Sequence, residues 1–258
     1  MYMSKIELIK RIYDIGAIKF GEFVLKSGKK SPYYIDLRVL PSYPDILVEV
    51  AKEIKSIIDS QQEKPTVLCG VPMAGLAIAN ALGMQTGMRV VYTRKEPIIY
   101  RDLVRQLRKS IQNGKFQPQE IPTVEKVVTF IEELSGFKAH GITSYLDGEL
   151  LDGDKVGIVD DLITTADSKL EARDLIKLEA KRRNIDVNIL WVYVVLDREQ
   201  GGKETLEKEG IKLYSILTIT EVAKKLYDNG ILPREKYEVI TRYIAAEKTR
   251  KDNNKCNS

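Results

Sequence analysis

Between residues 4 and 20, apolar side chains recur at Ile6, Ile9, Ile12 and Tyr13, a spacing that lays one apolar stripe along a helix. Ser4 stands before this run as its N-cap. The turn-rich stretch from Lys26 to Pro32 ends it, and Tyr33-Tyr34-Ile35-Asp36-Leu37 reads as a short strand. Ile46, Val50, Ile54 and Ile57 then share one face of a second helix over 44–59. From residue 66 the pattern changes to strand and helix in alternation. Thr66–Cys69 is a short buried strand, a Gly-Pro turn leads into the small-residue helix Gly75–Leu82, and Arg89–Thr93 is the next strand. Lys155–Val159 is another strand, followed by a loop and a helix over 167–182, and the apolar run Asn188–Leu196 reads as a central strand.

Such alternation predicts an α/β fold whose mostly parallel sheet is covered by helices on both faces. Ligands of these sheets bind beyond the carboxyl ends of the strands. The loops after Cys69, Thr93, Val159 and Leu196 are therefore where chemistry is expected. Residues 97–137 interrupt the rhythm. Ile99, Leu103, Leu107 and Ile111 fall at helical spacing, as do Val124, Val127, Val128, Ile131 and Leu134, with a break from Asn113-Gly114 to Pro122. This predicts a helical hairpin inserted into a single domain spanning 1–247. The polar residues 248–258 read as a disordered tail.

Composition narrows the function classes. Of 258 residues, 43% are hydrophobic, enough for one sizeable core. The +4 charge comes from 41 basic and 37 acidic residues, with no basic stripe of the kind that binds nucleic acid. Cys69 and Cys256 have neither metal-ligand nor disulfide spacing, so a reducing cytoplasm is the default. No apolar run approaches the ~18 residues that cross a membrane, and the N-terminus is no signal peptide.

The densest chemistry lies in Val156-Gly157-Ile158-Val159-Asp160-Asp161-Leu162-Ile163-Thr164-Thr165-Ala166-Asp167-Ser168. An apolar strand ends in two carboxylates, and a hydroxyl-rich loop opens a helix whose N-terminus suits a phosphate. Asp160 and Asp161 suit a ribose diol, or magnesium held directly or through water. A strand-end acidic pair also occurs in ordinary loops, and an Asp near a helix start is often only a cap.

This string resembles the phosphoribosyl pyrophosphate motif of the type I phosphoribosyltransferases. Three further segments are similar to orotate phosphoribosyltransferases in particular. They are Leu25-Lys26-Ser27-Gly28 with Ser31-Pro32-Tyr33-Tyr34-Ile35, Cys69-Gly70-Val71-Pro72-Met73-Ala74-Gly75, and Leu196-Asp197-Arg198-Glu199-Gln200-Gly201-Gly202. The resemblance implies the type I phosphoribosyltransferase fold with a small N-terminal hood. It implies transfer of a phosphoribosyl group from phosphoribosyl pyrophosphate to orotate, giving orotidine 5′-monophosphate and pyrophosphate in pyrimidine biosynthesis.

It also assigns roles. Val71, Pro72, Met73, Ala74 and Gly75 match the pyrophosphate loop. Lys26, Tyr34, Ile35, Thr164 and Arg198 would place orotate. Arg94 and Lys95, Lys138 and His140, and the run from Asp160 through Leu162, Ile163, Thr164, Thr165, Ala166 and Asp167 to Ser168 would hold phosphoribosyl pyrophosphate. Lys138, His140, Asp160 and Asp161 would be catalytic. Lys138-Ala139-His140-Gly141 resembles the end of the family's mobile catalytic loop, and His140 is the chain's single histidine. Magnesium would ride on the substrate's pyrophosphate and ribose, with Asp160 and Asp161 as further candidates for its ligands, and a homodimer would share its active sites.

Two features depart from the pattern. The hairpin lies within the catalytic loop, and Ala166-Asp167 replace a glycine and a small residue. A carboxylate about 5 Å from a phosphate costs roughly 3 kcal/mol per unit charge at an effective dielectric near 20. Asp167 is expected to point away and cap the helix. A nucleotide-binding relative without turnover, or a transferase for another base, stays open on these residues.

Overall fold

The computed structural model describes residues 3–24, 28–94, 98–137 and 144–255. These divide into two compact units, residues 1–93 with 146–258 and residues 94–145.

In the first unit, α1 (Lys5–Asp14) opens with reciprocal caps. The Ser4 hydroxyl accepts from the Glu7 N–H at 3.3 Å, and the Glu7 carboxylate accepts from the Ser4 N–H at 2.8 Å. The helical reading of residues 4–20 overshoots. Gly16 takes a left-handed φ of +72° just after the helix ends, and Ile18–Val24 continues as strand β1. β1 pairs antiparallel with β2 (Lys30–Ile35), and this two-stranded ribbon is the hood. A 3-10 turn over 37–42 leads to α2 (Pro44–Asp59), with Pro44 at a helix start where its missing N–H costs nothing.

The main sheet is built from β3 (Val67–Gly70), β4 (Arg89–Thr93), β5 (Leu146–Asp147), β6 (Asp154–Ile163), β7 (Val187–Asp197) and β8 (Lys212–Thr218). Its order is β5-β4-β3-β6-β7-β8, parallel throughout except where β5 runs against β4. Helices α3 (Ala74–Thr86), α6 (Asp167–Arg183), α7 (Gly202–Lys208), α8 (Ile219–Asp228) and α9 (Arg234–Lys255) complete the unit. The sheet's faces read out by alternation. Leu68, Val159, Tyr193 and Val195 join the α1, α2, α3 and α8 side of the core. Val67, Cys69, Val156, Ile158, Val192 and Val194 join Ala172, Ile176 and Leu206 on the other side. Burial pushes the Cys69 thiol up to about 12, so it behaves as an unreactive core side chain.

The helix α9 runs on through the polar stretch from residue 248 as far as Lys255. Lysine, arginine, glutamate and alanine residues along α9 favour this helix. In the second unit, α4 (Ile98–Gln112) packs on α5 (Ile121–Phe137), the two helices that the apolar spacing predicts. Gly114, at φ +65°, lies in the turn between them, and Val128 and Ile131 are buried.

Candidate active site

The sheet order creates the site. From β3 the chain winds outward through α3 to β4, and from β6 it winds the opposite way through α6 to β7. The connections therefore diverge at the β3–β6 pair, which opens a crevice beyond the strand ends. β3 stops where Gly70 pairs with Val159, while β6 runs on beside β7 as far as Ile163 paired with Asp197. Asp160 and Asp161 thus stand within β6 and project past the end of β3. They are not the last residues of their strand, as the reading from sequence has them. Pairing with β7 extends β6 through both carboxylates.

On the β3 side, the loop Val71–Gly75 folds back on β6. The Val71 N–H donates to the Val159 carbonyl at 3.0 Å. A Cβ on Gly75 would lie 2.4 Å from that same carbonyl oxygen and 3.1 Å from Asp160 Oδ1. Only a residue without a side chain lets the start of α3 approach the strand this closely.

The two carboxylates are not equivalent. Asp160 is 5% exposed, and its Oδ2 lies 2.6 Å from the ammonium of Lys169, itself 4% exposed. Its Oδ1 accepts the Asp161 N–H at 2.9 Å. Lys169 Nζ also donates to the Leu162 carbonyl, and to Ser168 Oγ at 3.2 Å. A lysine in the first turn of α6 opposes the helix dipole. Asp160 accounts for its position. Asp161 accepts the Leu162 N–H on Oδ1 at 2.7 Å. Burial, together with the neighbouring Asp160 charge, raises its carboxyl to about 7 despite Lys169. The pair is therefore one carboxylate held by an ammonium beside one group that titrates near neutrality.

This electrostatic arrangement also tests the fit of magnesium. Both Asp160 oxygens already accept hydrogen bonds, one of them from an ammonium, so Asp160 does not fit as a direct metal ligand. Among the described residues, no group of three or more histidine, cysteine or carboxylate side chains could hold a metal ion. The pair does fit hydroxyl groups, which can donate to the remaining carboxylate lone pairs.

Next comes the loop into α6. Ala166 is the N-cap residue, held at φ +79° with only 2% of its surface exposed, and no side chain caps the first turn. An uncapped first turn leaves backbone N–H groups for an anion. Asp167 does not act as the expected cap. Its Oδ2 instead accepts the Thr165 hydroxyl at 2.7 Å, because the first helical position lies too far along to fold its carboxylate onto the N–H groups of its own turn. Thr165, Asp167 and Ser168 are exposed, Leu162 and Thr164 half-buried, and Ile163 buried. The left-handed Ala166 costs roughly 1–2 kcal/mol. Ala166→Gly is thus expected to raise unfolding stability by about 0.5–1 kcal/mol after allowing for the freer unfolded chain. Urea melts test this, and a destabilised variant would show that the left-handed backbone is not strained.

Arg198 follows β7, and its N–H donates to the Ile163 carbonyl at 3.0 Å, which ties this loop to the end of β6. Its guanidinium carbon lies 5.2 Å from the centre of the Tyr33 ring, and its Nε is buried without a hydrogen-bond partner. On β2 the side chains alternate. Tyr33 is fully buried, Tyr34 is 38% exposed with its ring 5.7 Å from that of Phe23, and Ile35 is half-buried against the core. The structure therefore brings Arg198 to the hood strand and to the loop that holds Thr164.

Three participants are not evident from the sequence alone. Lys169 looks like an exposed helix charge, Tyr33 like a core residue, and Arg38 like surface. Arg38 makes a two-point ion pair with Asp36, at 2.7 and 2.6 Å, and its charge interacts with Asp161. Only its Asp36-Leu37-Arg38 spacing hinted at an oriented guanidinium.

Lys26, Lys95, Lys138 and His140 lie outside the described residues. Arg94 is exposed just beyond β4, and its N–H donates to the Tyr145 carbonyl at 3.1 Å.

A parallel sheet with a hood, an acidic pair on its third parallel strand and an uncapped helix beyond it define the class of the type I phosphoribosyltransferases. The Leishmania donovani UMP synthase structure shares this fold, with a TM-score of 0.68 and 24% identity over 95% of this chain, which spans 43% of that longer one. The Aeropyrum pernix orotate phosphoribosyltransferase structure shares it as well, with a TM-score of 0.59 and 23% identity over 88% of this chain and 99% of that one. No protein-family model matches the chain. The orotate phosphoribosyltransferase of Pyrococcus abyssi is 30% identical over 218 residues, covering 84% of this chain and 94% of its own length. The chain belongs to the orotate phosphoribosyltransferase family.

Proposed function

We propose that this protein transfers the phosphoribosyl group of phosphoribosyl pyrophosphate to orotate, releasing pyrophosphate and orotidine 5′-monophosphate for pyrimidine biosynthesis. The convergence around β6 carries this reading. One strand presents Asp160 and Asp161, receives the 71–75 loop at Val159, and leads directly into the uncapped start of α6.

In this reading the first turn of α6, with Thr164 and Thr165, takes the 5′-phosphate. Asp160 and Asp161 accept the ribose hydroxyls. The Val71–Gly75 loop, with Arg94, Lys95, Lys138 and His140, takes the pyrophosphate. As the bond to pyrophosphate lengthens, positive charge grows on the anomeric carbon, and the carboxylate of Asp160, held in place by Lys169, favours it. Orotate, held by Lys26, Tyr34, Ile35, Thr164 and Arg198, attacks through a ring nitrogen. The planar fork of Arg198 matches its carboxylate. Nothing in this scheme needs a covalent enzyme intermediate, so rate acceleration comes from positioning and electrostatics.

Magnesium belongs to the proposal as a companion of the substrate's oxygens, where it would neutralise pyrophosphate charge. Asp160 supplies no ligand to it. A cytoplasmic homodimer with shared sites completes the proposal, and no helix among the described residues is long and apolar enough to cross a membrane.

The test is chromatographic detection of orotidine 5′-monophosphate from purified protein, orotate, phosphoribosyl pyrophosphate and magnesium, with uracil, hypoxanthine and adenine in parallel. Product from orotate alone is expected. Absence of product above a Lys138→Ala control would end the proposal, and turnover of a purine instead would reassign the base. The pH profile is a further check. With Asp161 titrating at about 7, turnover should rise between pH 6 and 8 as it becomes an acceptor, and Asp161→Asn should flatten that rise. The stability sign is opposite. A raised carboxyl is most stabilising while protonated, so this contribution is full below the ordinary carboxyl range near 4 and is lost as pH climbs through about 7. An unchanged profile in Asp161→Asn would remove Asp161 from this role.

A further inference from the structure

We infer that Tyr33 is a positioning residue for Arg198, and that its buried ring face sets the preference for a planar base bearing a carboxylate. The inference rests on the proposed role of Arg198 in meeting the orotate carboxylate.

Three observations combine. First, Tyr33 is fully buried on β2, and the guanidinium of Arg198 stands over its ring at 5.2 Å, within the range of attraction between a cation and a ring face. Second, the ring itself is held. Tyr243 of α9 meets it edge-on at 5.8 Å with the planes at 90°, and Lys29 stands 5.7 Å over Tyr243 while ion-paired to Glu247. Third, Arg198 is fixed by its backbone to Ile163, while its side-chain Nε is buried without a hydrogen-bond partner.

An unpartnered guanidinium nitrogen away from water is costly unless something else compensates it. The ring face beneath the guanidinium supplies that compensation. The guanidinium is thereby kept in one orientation with donors left for a bidentate acid. A carboxylate side chain in place of Tyr33 would have compensated the charge equally well, but it would compete with the ligand's own carboxylate. An aromatic face holds the arginine and leaves it reactive towards an anion. Uracil, which has the same ring without the acid, gains nothing from this arrangement. Discrimination between the two bases is therefore traced to the ring as well as to the arginine.

The experiment measures KM for orotate and for phosphoribosyl pyrophosphate separately, in the full chain, for Tyr33→Phe, Tyr33→Met and Arg198→Lys. Tyr33→Phe keeps the face and should match the parent within about twofold. Tyr33→Met keeps apolar volume without a ring and should raise the orotate KM about tenfold, with the phosphoribosyl pyrophosphate KM unchanged. This split distinguishes positioning from a general loss of structure, which would move both. As the folding-independent measurement, phenylalanines with one, two and three ring fluorines at position 33 keep the shape and progressively weaken the face. The orotate KM should rise stepwise along that series. A flat series, or a folded Tyr33→Met with both KM values unchanged or both raised equally, overturns the inference. If Arg198→Lys leaves the orotate KM unchanged, the role of Arg198 fails first and the inference falls with it. If Arg198→Lys loses orotate while the fluorinated series stays flat, only the inference about Tyr33 fails.

Discussion

Gly75→Ala is expected to lower kcat/KM for phosphoribosyl pyrophosphate by more than about a hundredfold while the chain still folds. The added methyl would sit 2.4 Å from the Val159 carbonyl oxygen and 3.1 Å from both the Asp160 Cα and its Oδ1. None of these can move cheaply. The carbonyl is already engaged by the Val71 N–H at 3.0 Å, and Asp160 is clamped to Lys169 at 2.6 Å. Relief must therefore come from α3, whose start has to shift away from β6 by roughly 1 Å. A shift of that size separates the proposed pyrophosphate loop from the acidic pair, and misplacement of about 1 Å is enough to cost a hundredfold in rate. The rest of α3 is held by Ile78, Ala79 and Leu82 in the core, so folding should survive. Steady-state kinetics with near-ultraviolet circular dichroism make the comparison. A folded Gly75→Ala protein with parental kcat/KM would show that the 71–75 loop does not need its contact with β6.

The same segment shows what could be read in advance. The order of strand and helix from Thr66 to Leu196 follows from apolar periodicity, because the central strands β3 and β6 are buried along nearly their whole length. The loops that carry the site follow from that order. What periodicity misses is set by partners distant in the chain. β1 could not be separated from α1, since Ile18 and Phe20 continue an apolar pattern and become a strand only by pairing with Ile35 and Tyr33. β6 outruns the apolar stretch that announces it, because β7 supplies backbone partners to Asp160, Leu162 and Ile163 regardless of their side chains. Asp160 and Asp161 are legible as a motif, but their inequality is not. It comes from Lys169, which the sequence shows only as one more charge in a charged helix. The link between Tyr33 and Arg198 is equally invisible, as it joins the hood to the loop after β7, far away along the chain.

Lys169→Met is expected to cost about 3–5 kcal/mol of unfolding stability, because removing one partner leaves the Asp160 carboxylate buried without compensation. The three ammonium donors of Lys169 match three acceptors, Asp160 Oδ2, the Leu162 carbonyl and Ser168 Oγ, on a side chain that is 4% exposed. Its loss therefore also releases the two ends of the loop proposed to hold the 5′-phosphate. At roughly 2–4 °C per kcal/mol for a chain of this size, the melting temperature should fall by about 10 °C. Stability and function separate in the double variant Asp160→Asn with Lys169→Met. Removing both charges should recover most of the lost stability, since the penalty belongs to the orphaned carboxylate and not to the absence of the pair. Activity should not return, because the carboxylate proposed to face the ribose is gone. Urea unfolding of the two single variants and the double variant, with the activity of each, gives the full cycle. A Lys169→Met protein as stable as the parent would mean that Asp160 is compensated by other groups. A double variant no more stable than Lys169→Met would assign the penalty to the loop instead of to the charge.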